Sequence, residues 1–278
     1  MKKIQCVVSP QWLWERLHDP QHDPQVVVVD CRFQLANPQW GYQQYFASHV
    51  PGAYYLDLEK DLSAPPNKHG GRHPLPDRDL LAQKLASIGI VSGETLVVAY
   101  DDSRFAFAAR LWWLLRYLGH DRVALLDGGW QGWIADGYPV CDAIPAPKSG
   151  NFAPNPQPDW IVDIETVRAR KDSPSVVLLD SRDGDRYRGE REPIDPIAGH
   201  IPGAVNSPWQ LVSNERGNLQ PLSRQQQLWA DYQQADEIIV YCGSGVTACV
   251  NLFSMELAGI RTAKLYPGGW SDWCSYLI

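Results

Sequence analysis

The sequence predicts an α/β fold made of two tandem domains, each a mainly parallel sheet covered by helices on both faces. Two observations carry this prediction. Short apolar runs alternate with helical patterns along the chain, as in sheets whose two faces are both covered. Four sequence blocks also occur twice in the same order, each pair separated by about half of the 278 residues. A repeat of this length indicates duplicated domains rather than a solenoid.

The four blocks fix the domain boundaries. In order, they pair Val26–Arg32 with Val176–Arg182, Ser48–Ala53 with Gly199–Ala204, Leu96–Asp101 with Ile238–Cys242, and Leu125–Trp130 with Leu265–Trp270. Between the two sets lies a stretch that carries five prolines, which is typical of an extended, semi-rigid connection. We therefore predict a first domain over residues 1–140, a linker over 141–158 and a second domain over 159–278.

Local patterns predict individual helices within each half. Ser9 is a suitable N-cap for an opening helix with Pro10 in its first position, and Asp163 repeats this opening in the second half. Apolar periodicity predicts four further helices: Leu80–Leu85, Phe105–Leu118, Leu228–Ala235 and Ala248–Leu257.

Composition and charge narrow the classes of function. The net charge of -7 argues against nonspecific binding to nucleic acid or to anionic membranes. The first residues contain no long apolar run, so we expect neither a signal peptide nor a membrane span. The six cysteines form no C-x-x-C pair, which disfavours a zinc site or a thioredoxin-type redox pair. We expect reduced thiols and a cytoplasmic location.

One cysteine stands where chemistry is expected. The β-branched and aromatic run Ile238–Tyr241 predicts a buried strand, and a helix is predicted from Ala248. The loop between them begins at Cys242 and contains glycines at positions 243 and 245, so that its N–H groups can surround an anion at a helix N-terminus. A thiolate is favoured over a thiol in such a place. A buried structural cysteine is the simpler alternative, but the position favours a nucleophile.

The repeat is informative where its two copies differ. Asp101 occupies the position of Cys242 in the first half, and an aspartate cannot carry sulfur as a thiolate can. The first domain is therefore predicted to be catalytically silent. The first half is also longer by about ten residues around Ser63–Asp77. This polar segment is a candidate to reach across the domain interface, although a tolerated surface insertion is by itself the better explanation.

These motifs resemble the rhodanese-like sulfurtransferases over nearly the whole chain. His49–Ala53 and His200–Ala204 match the amino-end signature of that family, and Leu265–Trp270 matches its carboxyl-end signature. The loop Cys242–Thr247 resembles the active loop of the mercaptopyruvate branch. The resemblance implies two rhodanese-like domains, of which the second carries sulfur as a persulfide on Cys242. It implies no metal and no organic cofactor.

The resemblance also implies roles for individual residues. A small sulfur donor would load Cys242, and a thiol or cyanide would remove the sulfur, with a protein thiol as a further candidate acceptor. Ser244 would relay a proton together with His73 and Glu59. His69 is a rival for the role of His73, and Asp57 is a rival for the role of Glu59. Arg186 aligns with a substrate-binding arginine, and Arg191 is the candidate for a second one. The loop residues Gly243, Gly245, Val246 and Thr247 would also line the substrate site.

The residues after the cysteine decide the expected donor. Thiosulfate-using relatives place cationic side chains there, whereas this chain has Gly243 and Ser244. We therefore expect 3-mercaptopyruvate to be preferred, with thiosulfate sulfurtransfer to cyanide as the alternative. A phosphatase on a related scaffold would need an arginine where Ala248 stands. A noncatalytic sulfur-carrier or binding module is the remaining rival, and the cysteine with its loop and Ser244 disfavours it.

Overall fold

The computed structural model describes residues 6–18 and 25–278, which form two compact units. The first unit contains the described residues up to Ser63 together with Pro76–Gln157 and Ser213–Leu219, and the second contains Ala64–Leu75, Pro158–Val212 and Gln220–Ile278. The proline-rich stretch that we predicted as a linker thus lies in the first unit as far as Gln157. Each unit also includes a short segment from the other half of the chain.

The first unit is built on a five-stranded sheet in the order β1-β5-β4-β2-β3, in which all paired strands are parallel. Its elements are β1 (Val7–Val8), α1 (Pro10–His18), β2 (Val26–Asp30), α2 (Trp40–Ala47), β3 (Tyr54–Tyr55), α3 (Arg78–Ser87), β4 (Leu96–Tyr100), α4 (Ala108–Tyr117), β5 (Val123–Leu126) and α5 (Gly129–Ala135). The central strand β4 is buried along its whole length, as expected where both faces of a parallel sheet are covered.

The second unit repeats this plan with a four-stranded parallel sheet in the order β7-β6-β8-β9. Its elements are α6 (Ile164–Arg170), β6 (Val176–Asp180), α7 (Gly184–Tyr187), β7 (Val205–Asn206), α8 (Leu222–Leu228), β8 (Glu237–Tyr241), α9 (Ala248–Leu257), β9 (Ala263–Leu265) and α10 (Gly269–Cys274). Short 3₁₀ turns lie at Pro158–Trp160, Trp209–Val212 and Ala230–Tyr232. The predicted fold of two α/β units with mainly parallel sheets is confirmed.

Capping side chains define the first helix of each half. The N–H of Trp12 donates to Oγ of Ser9 at 3.1 Å, and the N–H of Thr166 donates to Oδ1 of Asp163 at 2.8 Å. Each cap satisfies one of the amides that a helix N-terminus leaves without a partner inside the helix. The two openings predicted from Ser9 and Asp163 are therefore present.

The predicted helix over Leu228–Ala235 is wrong. The helix in this region, α8, instead runs from Leu222 to Leu228, directly after Pro221. The side chain of Trp229 is fully buried and its indole N–H donates to Oγ of Ser254 at 2.6 Å. This anchor fixes the chain where α8 ends, and only a 3₁₀ turn follows. Apolar periodicity detected the helical segment but not its position.

The register of the strands places two loops of the second unit, those that carry Cys242 and Arg186, at one edge of its sheet. Strands β6 and β8 pair with Asp180 opposite Tyr241, so both strands end at the same level. Cys242 follows β8, and the segment that contains Arg186 follows β6. The carboxyl ends of parallel strands are where open α/β sheets bind ligands.

Candidate active site

Cys242 lies directly after the buried strand β8, in a loop that is fixed by backbone contacts. The N–H of Trp270 donates to the carbonyl of Cys242 at 2.8 Å, and the N–H of Ser271 donates to the carbonyl of Gly243 at 2.8 Å. Gly245 has a φ of +71°, and a Cβ there would lie 2.4 Å from the carbonyl oxygen of Pro267. Only glycine fits this turn, which holds the loop in a single conformation.

Ser244 is hydrogen-bonded to a histidine from the first half of the sequence. The segment Ala64–Leu75 belongs to the second unit, and it places Nδ1 of His73 2.7 Å from Oγ of Ser244. Both side chains are buried. When Nδ1 is unprotonated, it accepts the hydrogen bond of the hydroxyl and can take its proton, and when Nδ1 is protonated, it can donate a proton to the hydroxyl oxygen. The pair is therefore able to transfer a proton at a position two residues after Cys242.

The other histidine of this segment has a different role. Nδ1 of His69 lies 2.7 Å from Oγ of Ser275, and its ring stacks on Tyr276 with centroids 3.9 Å apart. The N–H of Gly70 donates to Oδ1 of Asp272 at 2.6 Å. These contacts anchor the segment to the C-terminal helix α10 and the residues after it. Of the two candidate partners for Ser244, it is His73 that contacts the hydroxyl.

Two guanidinium groups meet beside the cysteine loop. A Cβ on Gly243 would lie 2.9 Å from Nη2 of Arg72 and 3.8 Å from both terminal nitrogens of Arg186. Because residue 243 has no side chain, both guanidinium groups approach the backbone one residue after Cys242. Arginine forks at this spot match the geometry of a carboxylate or of a sulfonate-like anion. The sequence analysis did not identify Arg72, although it directly precedes His73.

Two buried carboxylates neutralise these arginines. Asp195 contacts Nη1 of Arg72, and its other oxygen lies 3.2 Å from Nη2 of Arg186. Glu192 accepts from Arg186 at 2.6 Å and from Arg182 at 3.2 Å. Burial raises the pKa of Asp195, an effect that Arg72 and Arg186 offset only in part. Burial would also raise the pKa of Glu192, but hydrogen bonds from Arg186 and from backbone N–H groups outweigh it and lower that pKa.

The arginine after β6 is a structural ion-pair partner. Arg182 donates to Asp180 at 2.7 Å and to the carbonyl of Gly199 at 2.6 Å, and it is buried. Arg32 makes the same pair with Asp30 at 2.6 Å in the first unit. A contact that occurs in both copies of the repeat serves the fold rather than a substrate.

Two of the predicted site residues, Arg191 and Glu59, have other contacts in the structure. Arg191 is half-exposed and pairs with Asp185 at 2.6 Å and with Asp183 at 3.2 Å. These carboxylates hold its guanidinium on the surface, and Arg72 takes the place beside Arg186 that we predicted for Arg191. Glu59 is exposed and belongs to the first unit, where its N–H donates to Oδ1 of Asp57 at 2.9 Å.

The remaining predicted residues lie in the loop itself. Gly243, Gly245 and Val246 are buried, and Thr247 is the half-buried residue that precedes α9. In residues 6–18 and 25–278, no three histidine, cysteine or acidic side chains are grouped so that they could hold a metal ion. Across these same residues, no helix combines the length and the apolar character needed to cross a bilayer.

The protein has two units of the rhodanese type. This follows from the order of the strands in its sheets, from the cysteine at the end of β8 and from the repeat of the same plan in both halves of the chain. The sequence pattern of the rhodanese-like domain matches residues 9–136 and again residues 163–276. The chain therefore belongs to the rhodanese-like family, and the recognition made from the motifs is confirmed.

Curated relatives match nearly the whole chain. It is 44% identical over 272 residues to a "Probable 3-mercaptopyruvate sulfurtransferase" of Pseudomonas aeruginosa, covering 96% of this chain and 94% of that protein. It is 36% identical over 256 residues to a "Putative thiosulfate sulfurtransferase" of Mycobacterium tuberculosis, covering 91% and 89%.

A solved structure agrees along its entire length. The crystal structure of SseA from Escherichia coli, described as a 3-mercaptopyruvate sulfotransferase with the rhodanese fold, superposes with a TM-score of 0.79 at 29% identity. The match covers 96% of this chain and 99% of that one.

Proposed function

We propose that this protein is a 3-mercaptopyruvate sulfurtransferase that carries the transferred sulfur on Cys242. The observation that carries the proposal is the contact of 2.7 Å between His73 and Ser244 beside the cysteine loop, because it supplies a proton where a carbon leaving group needs one. Arg72 and Arg186 supply the cations for the carboxylate of the donor. The names of the relatives from Pseudomonas aeruginosa and Escherichia coli support the same activity.

In the first half-reaction, the thiolate of Cys242 attacks the sulfur of 3-mercaptopyruvate. A bond forms between the two sulfur atoms while the carbon–sulfur bond of the donor breaks, and its electron pair stays on the carbon as the enolate of pyruvate. Ser244 delivers a proton to that carbon and His73 replenishes the hydroxyl. The donor thiol gives up its own proton, which restores the one that His73 supplied, and Cys242 ends as a persulfide anion. The loop amides and the N-terminus of α9 stabilise this charge.

In the second half-reaction, a thiolate or cyanide attacks the outer sulfur of the persulfide. The sulfur–sulfur bond breaks and its electron pair returns to Cys242 as the thiolate. The outer sulfur leaves with the acceptor, as a persulfide or as thiocyanate. Both half-reactions proceed without oxidant or reductant, because each sulfur–sulfur bond formed is balanced by one bond broken.

Thiosulfate is the second candidate donor, and Arg72 is the observation that favours it. Its guanidinium lies where the sequence after Cys242 offers no cation, and a dianion needs positive charge there. Loss of sulfite requires no proton, so this reaction would not depend on the pair of Ser244 and His73. The two donors therefore make different demands on the same site.

Steady-state kinetics with both donors and one shared acceptor test the proposal. We expect kcat/KM to be higher for 3-mercaptopyruvate than for thiosulfate. Ser244→Ala should lower the keto-acid reaction more than the thiosulfate reaction, because only the former needs the proton. A higher kcat/KM for thiosulfate in the unmodified protein would make thiosulfate the better-supported donor and would contradict the proposal.

A further inference from the structure

The site holds more positive charge than its sequence suggests, and that charge is balanced before any donor binds. Arg72 and Arg186 both lie within 3.8 Å of the position that a Cβ on Gly243 would take. Two guanidinium groups this close repel one another unless an anion lies between them. Asp195 is that anion, because one of its oxygens contacts Arg72 and the other contacts Arg186.

The surrounding ion pairs complete the balance. Glu192 pairs with Arg186 and Arg182, and Asp180 pairs with Arg182. Three arginines thus face three carboxylates. The side chain of Asp195 is 2% exposed, so that water screens its charge weakly. A donor anion therefore meets two well-placed hydrogen-bonding forks whose positive charge is already offset.

We propose that Asp195 is the residue that sets the donor preference of this site. Its buried carboxylate repels any anion that binds to Arg72 and Arg186 beside the cysteine loop, and it repels a dianion twice as strongly as a monoanion. Thiosulfate brings two negative charges, whereas 3-mercaptopyruvate brings one carboxylate. Asp195 thus favours the keto acid by charge, while Arg72 and Arg186 provide the geometry for one carboxylate. This inference rests on the proposed function and names the group that gives it specificity.

The test changes the charge of residue 195 and leaves its shape nearly intact. Asp195→Asn keeps a side-chain oxygen for one arginine and removes one negative charge. We expect the ratio of kcat/KM for thiosulfate to that for 3-mercaptopyruvate to rise about tenfold. Glu190→Gln is the matched control, because it makes the same change of net charge in an exposed pair with Arg188 at 2.7 Å. Its ratio should stay within about twofold of the unmodified protein.

A second background keeps the test decisive if the single variant folds poorly. In the Arg72→Gln variant, Asp195 has lost one of its two arginine partners. Adding Asp195→Asn to this variant removes a carboxylate that is only partly paired, so the double variant leaves less unbalanced charge in the site. The ratio should again rise about tenfold from Arg72→Gln to the double variant. An unchanged ratio in a folded variant of either background overturns the role of Asp195, as does an equal rise in Glu190→Gln.

Failure of the proposed function gives a different result. Absence of turnover with 3-mercaptopyruvate in the unmodified protein overturns that function and leaves no ratio to shift. A normal preference for 3-mercaptopyruvate that Asp195→Asn does not alter overturns only the inference about Asp195.

Discussion

The two strand-end loops of this protein occupy the same place in their units and hold different groups. In the first unit, the carboxylate of Asp101 accepts four backbone N–H groups, from Ser103, Phe105, Phe107 and Ala108, at 2.8 to 3.1 Å. The N–H of Trp130 donates to the carbonyl of Asp101 at 2.8 Å, as the N–H of Trp270 donates to that of Cys242. One scaffold therefore carries a buried carboxyl group in one copy and a cysteine in the other.

The side chain of Asp101 in the first loop indicates which kind of group fits the second loop. An aspartate oxygen and the outer sulfur of a cysteine persulfide lie the same number of bonds from the backbone. Asp101 is thus similar in reach to the persulfide that we propose for Cys242, and its oxygens accept hydrogen bonds from loop amides. The first unit keeps its carboxyl group for stability, while the second unit gains and loses an anionic sulfur in the proposed reaction.

The segments that the two halves exchange also differ. Ala64–Leu75 brings Arg72 and His73 to the cysteine loop of the second unit. Ser213–Leu219 belongs to the first unit and contains no histidine, and there Ser213 accepts from Arg104 through its hydroxyl at 3.1 Å and its carbonyl at 2.7 Å. The arginine of the first loop is therefore used in the fold, whereas the second site has two arginines and a proton-transfer pair.

The largest effect is expected at the nucleophile. Cys242→Ser should lower sulfur transfer by at least about 10⁴-fold, because the hydroxyl cannot form a persulfide. Cys249→Ala is the matched control, since Cys249 is buried in α9 and its thiol contacts the carbonyl of Gly245 at 3.4 Å. It should keep most of the activity in the same assay. Comparable losses in the two variants would indicate a disulfide mechanism instead.

The counterpart of the nucleophile in the first loop should affect stability rather than turnover. Asp101→Ala leaves four amides without their acceptor and should lower the free energy of unfolding by about 3 kcal/mol. Chemical denaturation measures this loss, and kcat per folded molecule should change little. Asp102→Ala is the control, because the carboxylate of Asp102 accepts from the hydroxyl of its neighbour Ser103, at 3.2 Å, where Asp101 accepts from four backbone amides. Equal losses at the two positions would contradict the special role of Asp101.

Removal of the proton-transfer pair should separate the two donors. His73→Gln keeps a polar side chain but cannot exchange a proton, and it should lower kcat for 3-mercaptopyruvate about 100-fold. The thiosulfate reaction should fall much less, because sulfite leaves without a proton. Measurement of kcat with each donor checks this difference. An equal fall with both donors would mean that His73 only supports the loop.

The smallest effect is expected at the arginine that lies outside the site. Arg191→Gln should change kcat/KM for 3-mercaptopyruvate by less than about threefold, because its charge is paired on the surface. Arg186→Gln, measured in parallel, should raise KM strongly because it removes a fork from the donor carboxylate. A strong rise in KM for Arg191→Gln would restore Arg191 as the second substrate arginine.

The fold could be predicted from the sequence because its signals are local and occur twice. Alternating apolar runs gave the strands, and the repeat aligned Asp101 with Cys242. The partners of the cysteine loop are a different case, because Arg72 and His73 are about 170 residues away from it in the chain. Family resemblance pointed to His73, but no local pattern identifies Arg72. The position of Arg191 shortly after Arg186 favours it as a second substrate arginine, but ion pairs with Asp183 and Asp185 hold it on the surface.

Mapping the transferred sulfur tests the difference between the two loops most directly. The protein is loaded with 3-mercaptopyruvate in the absence of acceptor, its thiols are blocked, and its peptides are analysed by mass spectrometry. We expect the mass of one added sulfur atom on the peptide that contains Cys242, with none on the other five cysteines and none in Cys242→Ser. Addition of a thiol acceptor should remove that mass. Sulfur on another cysteine, or turnover without any sulfur on Cys242, would contradict the assignment of the chemistry to the second loop.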